Sequence, residues 1–122
     1  MALDAFDTIE HPQKALIIKF CEAVLAADSS IEAGIKWNSV SFKTSEWFAT
    51  HNKRALDRVE FVFHLGAKVK SVDIRDEIPD LAGCLEWKSS DRCIVTFRKT
   101  EVDEAFLGEF RSFVVSWIKH VK

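Results

Sequence analysis

At 122 residues, against about 150 for a typical domain, the chain has room for one domain spanning residues 1–122, with roughly two-thirds of its unfolded surface buried. Apolar residues make up 48% and charged residues 30%, a balance that excludes disordered, collagen-like and low-complexity classes. Seventeen Lys and Arg against nineteen Asp and Glu leave a net charge of −2, and the basic residues are scattered, so no stripe is available to neutralise a nucleic-acid backbone.

The opening MALDAFDTIEH carries three acids and neither a basic n-region nor an apolar h-region, so residues 1–10 read as a mobile leader rather than a secretory signal. From Gln13 to Asp28 the residues Leu16, Ile17, Phe20, Cys21, Val24 and Leu25 recur at helical spacing, with Pro12 suited to the first helical position. Ile31 to Phe42 and Trp47 to Asn52 are rich in β-branched and aromatic residues and read as strands. Val59, Phe61, Phe63 and Leu65 alternate with Glu60, Val62 and His64, the period of a half-buried strand. Cys84 to Trp87 and Arg92 to Phe97 read as a hairpin closed by Lys88 to Asp91. A last helix is expected over Val102 to Val121, its apolar stripe running through Phe106, Phe110, Phe113, Val114, Trp117 and Ile118, with Thr100 to Asp103 in capping-box form. Strands in one block with helices at the ends predict an α+β two-layer sandwich: both helices on one face of an antiparallel sheet of about five strands. The longest apolar run, Ala23 to Ala27, is far too short to span a bilayer.

The four glycines, at 34, 66, 83 and 108, form no phosphate-cradling motif, and no His or Cys pair has zinc spacing. His64, on the face opposite Phe61 and Phe63, reads first as solvent-facing or hydrogen-bonded rather than catalytic. A symmetric hairpin would make Cys84 the diagonal neighbour of Cys93, allowing a redox or metal role, but small buried thiols in a chain without a secretory signal point first to packing, free cysteines and a cytoplasmic setting. Asp4, Asp7 and Glu10 fall at three-residue spacing and are the candidate carboxylates for a metal, although Pro12 places them ahead of the helix, in a solvated leader.

The string Ile35-Lys36-Trp37-Asn38-Ser39-Val40-Ser41-Phe42 resembles the YdhG-like family of small bacterial domains of unknown function, whose hallmark is a Lys-Trp-Gly-x-Pro-Ser-Phe/Tyr segment after a first helix. Phe48-Ala49-Thr50, His64-Leu65-Gly66, Leu85-Glu86-Trp87-Lys88 and Asp91-Arg92 follow in matching order, so the resemblance runs from about His11 to the last helix. It departs at Asn38, where Gly is usual, and at Val40, where Pro is usual. The resemblance implies a frataxin-like architecture and, through a relative regarded as an intracellular iron chaperone, iron handling. The acidic ridge that frataxins present on the first helix has no counterpart here, where that helix carries Lys14, Lys19, Glu22 and Asp28.

Three readings therefore stand side by side. The first is a cytoplasmic, non-enzymatic binding module without a cofactor, a monomer or homodimer, whose small-molecule or protein ligand meets Lys36, Trp37, Trp47, His64, Trp87 and Arg92. The second is an iron chaperone acting through Asp4, Asp7 and Glu10. The third, an enzyme, is disfavoured because no nucleophile, base and orienting group line up by spacing.

Overall fold

The computed structural model describes residues 5–66 and 73–121. Helix α1 spans Lys14–Ala27, followed by strands β1 Glu32–Lys36, β2 Ser39–Lys43, β3 Trp47–His51 and β4 Val59–Phe63, a single 3-10 turn Arg75–Glu77, strands β5 Leu85–Ser89 and β6 Arg92–Phe97, and helix α2 Glu104–Ile118. The strands form one antiparallel sheet in the order β1-β2-β3-β4-β6-β5, so β1 and β5 are its edges. Both helices cover one face, as the α+β reading expected, with a sixth strand gained where Ile31 to Phe42 breaks into two.

That break lies at Trp37-Asn38, which does not continue a strand. Lys36 pairs with Ser39, and the two residues between them have φ of 55° and 59°, the left-handed values required at both central positions of a tight hairpin turn. Asn tolerates this conformation through its short polar side chain; Trp does not, so the turn carries backbone strain at Trp37.

Alternation on β4 and β6 aims Val59, Phe61, Phe63, Cys93, Val95 and Phe97 at the helices, where they meet Phe20 and Phe110. A bulge beside Phe42 and Lys43 gives β3 one extra residue, and Phe48 is buried within ring contact of Phe63. Helix α2 starts one turn later than a capping box at Thr100 would place it. Asp103 is itself the cap, accepting the Phe106 N–H at 2.8 Å. Pro12 likewise precedes the helix, with Gln13 as the boundary residue.

The leader is a second correction, since Ala5, Phe6 and Ile9 are buried in the core and the segment from residue 5 is docked, its apolar side chains having a surface to cover; Asp4 lies outside the described residues. Among the described residues no helix is long and apolar enough to cross a membrane.

The β5–β6 hairpin corrects the cysteine geometry. Ser89 pairs with Arg92 across a two-residue turn, and a bulge at Lys88 brings Trp87, not Glu86, opposite Cys93. Cys84 instead accepts the Thr96 N–H, three residues along β6 from Cys93, about 10 Å of strand and beyond disulfide reach. All three cysteines are free. Burial raises the Cys21 and Cys84 thiols and pushes Cys93 up to about 12, so none is poised as a thiolate. Thiol titration of unreduced protein in denaturant should find three free groups, with half-buried Cys84 reacting first in the native state; one free group would reveal a disulfide.

Candidate functional site

The six residues singled out from the sequence divide between the two faces of the sheet. Lys36 and Trp37 sit at the tip of the β1–β2 hairpin, with the Lys36 ammonium 5.6 Å from the indole centroid. Trp37, 51% exposed, meets the His64 imidazole edge-on at 5.4 Å. His64 is 4% exposed, and its Nδ1 lies 3.1 Å from the Gly66 carbonyl oxygen. Burial holds its pKa below the ordinary histidine value, the Gly66 hydrogen bond opposes this, and Arg92 lowers it further. Gly66, at φ 109°, packs so closely on Glu46 that a Cβ there would lie 2.5 Å from the carboxylate.

Trp47 lies elsewhere. Its ring is 5.5 Å from the Lys43 ammonium and packs over Gly34, where a Cβ would come within 3.1 Å. Trp87 is part of the helix-side packing, stacked at 5.7 Å on Trp117, whose indole N–H donates to the His64 carbonyl at 2.9 Å. Lys36, Trp37 and His64 are thus brought together, with Arg92 near enough to act on His64 electrostatically, while Trp47 and Trp87 are not part of that group.

On the helix side of the same hairpin lies a cleft of about 370 Å³ that sequence reasoning missed. Thr8, Ile9 and Glu10 close it from the docked leader, Ile35, Asn38, Ser39 and Val40 from the hairpin, and His51 and Lys53 from β3 and its loop. His51 is 2% exposed and its Nε2 has no protein hydrogen-bond partner. The adjacent His11 cannot supply one. The Gln13 N–H donates to its Nδ1 at 3.0 Å, so Nε2 carries the proton and donates to the Ala55 carbonyl at 2.8 Å. With both His11 nitrogens engaged and the rings 5.7 Å apart, burial and then His11 lower the His51 pKa to about 4, against a smaller opposing effect of Glu60. His51 is therefore a neutral imidazole at pH 7. The signal that could have found it is its phase. It shares the inward face of β3 with Ala49, a place where a polar ring needs a partner.

A recess of about 410 Å³ beside Cys84, Phe97 and Phe106 is larger, yet its charged residues Glu86, Arg98 and Lys99 are all exposed and no buried polar atom faces it without a partner. No protein-family model, curated protein or solved structure matches this chain.

The carboxylates of the metal reading give little to build on. Asp7 and Glu10 are exposed, and among the described residues no group of three or more His, Cys, Asp or Glu is gathered as a metal site.

Proposed function

We propose that this chain is a non-enzymatic binding domain that takes a small molecule with both polar and apolar parts into the cleft under the β1–β2 hairpin. The observation that carries this is the buried, partnerless His51 Nε2 in a cleft lined by Ile9, Ile35 and Val40 together with Glu10, Asn38 and Lys53. A buried polar atom without a partner is costly, and a concave site that offers such an atom beside apolar walls is how small-molecule pockets orient their ligands. The cleft volume of about 370 Å³ suits a small metabolite rather than a nucleotide or peptide. Strain at Trp37, stored beside the cleft, supports the same reading, because such outliers persist where the surrounding structure holds them for a purpose.

We place the domain in the YdhG-like family and in the cytoplasm. The left-handed Asn38, φ 59°, occupies a position that glycine also fills, which supports that kinship despite the sequence departure. A thermal-shift screen of small metabolites tests the function. Ligands of the cleft should raise the melting temperature of wild type and not of His51→Phe, which keeps the bulk and removes the polar atom. Compounds that stabilise His51→Phe equally, but not a Lys36→Ala, Arg92→Ala variant, would move the site to the Trp37 face and overturn the cleft.

A further inference from the structure

We propose that two copies of this chain pair antiparallel through β1, joining their sheets across a two-fold axis at Gly34. β1 is an edge strand, bonded to β2 alone, and its sequence is Glu32-Ala33-Gly34-Ile35-Lys36. The two-residue turn makes Lys36 and Ser39 a hydrogen-bonded pair, so alternation directs the Gly34 and Glu32 main-chain groups toward β2 and those of Ala33 and Ile35 outward. No turn or loop hydrogen bond among the described residues takes up the outward groups. An unpaired edge of this kind is a template for another strand.

The order of charges selects which strand. Antiparallel self-pairing centred on Gly34 sets Glu32 of one copy opposite Lys36 of the other, twice by symmetry, and Ala33 opposite Ile35. In that register the outward groups of Ala33 and Ile35 bond each other, and the two Gly34 residues meet at the closely spaced central pair, each carrying its own chain's Trp47 ring over it in place of a side chain. A parallel or shifted pairing would face like charges or leave both unpaired, so the charge pattern itself favours the two-fold arrangement. Neither Glu32 nor Lys36 has an ion-pair partner within the described chain. Ile35, 47% exposed and one of three exposed large apolar residues among those described, gains cover from the partner's Ala33. Five residues a side make a small interface, at or below the about 1,200 Å² typical of stable complexes, so the dimer should be reversible and weakened by salt.

Sedimentation equilibrium across a concentration series tests this with charge reversals at exposed positions. Glu32→Lys and Lys36→Glu should each weaken self-association by about tenfold or more, because each turns two attractions into repulsions. The double variant, which exchanges the two charges, should recover wild-type association. An equimolar mixture of the two single variants should associate as a heterodimer, since a Lys-Lys strand then faces a Glu-Glu strand. Circular dichroism verifies that each variant is folded. Wild type that stays monomeric to about 1 mM, the weakest range of specific association, would overturn the proposal and leave the edge to another partner. Association that ignores both single reversals, or that the double variant fails to restore, would overturn it equally.

Discussion

Replacing Phe110 by alanine should destabilise the protein by about 3–5 kcal/mol, read as a shift in the midpoint of urea unfolding with little change in slope. The reason is where this ring sits. Phe110 is fully buried on α2 and touches Phe20 of α1 at 5.2 Å, Phe61 and Phe63 of β4 at 6.3 and 6.2 Å, and Phe113 at 6.4 Å. It is the point at which both helices and the central strand meet, and its edge-on contacts with Phe20 and Phe63 add to the area term. Truncation opens a cavity among rings that are themselves held from several sides, so relaxation recovers little. Phe106, only half-buried at the rim of the same cluster, should cost less when truncated. A loss at Phe110 under about 1 kcal/mol, the scale of surface substitutions, would mean that the two helices do not share this core.

The second large effect is a loss of stability in mild acid. His51 titrates near 4 in the folded chain against an ordinary value of 6.5. A histidine with a depressed folded pKa leaves the unfolded chain as the better proton acceptor, so its contribution is fully present above about pH 6.5 and is lost as pH falls toward 4. The gap corresponds to about 3 kcal/mol, of which about 2 is lost between pH 6.5 and 5, before most carboxylates begin to titrate. The ring contact is His11 from the leader, which deepens the depression, and the nearby charge of Glu60 from the other face of β4 opposes it. His64 is depressed in the same sense and adds to the slope. Unfolding measured at pH 7 and pH 5 should therefore show a steep dependence in wild type and a clearly shallower one in His51→Phe, with the His64 part remaining. Equal slopes in the two proteins would place His51 in contact with water.

Glu60 sits on the opposite face of β4 and works with the opposite sign. Burial pushes its carboxyl up, yet hydrogen bonds from Asn52 at 2.6 Å and Arg58 at 3.0 Å hold it below the usual range. Its stabilisation is present above the ordinary carboxylate pKa and is lost only in stronger acid, which separates it from the histidine window.

Local periodicity determined a good deal. The stripe from Phe106 to Trp117 can bury itself only as a helix, and the alternation from Val59 to Phe63 only as a strand with one covered face. Two terminal helices around a block of strands then leave few arrangements besides an α+β sandwich. The positions that escaped are those where the deciding partner is distant in sequence. Nothing in Trp37-Asn38 carries the glycine that marks a tight turn, and the chain accepts the strain there because pairing β1 with β2 repays it. The Cys84–Cys93 geometry depended on one residue of register, settled by the Ser90-Asp91 turn and the bulge at Lys88 rather than by the polar character of the loop. The leader reads as polar, and only the finished core offers Phe6 and Ile9 a surface to cover. His51 is the same case in its sharpest form. Its chemistry is set by a ring forty residues away, already committed to Gln13 and Ala55, and only the folded chain brings the two together and leaves one nitrogen open.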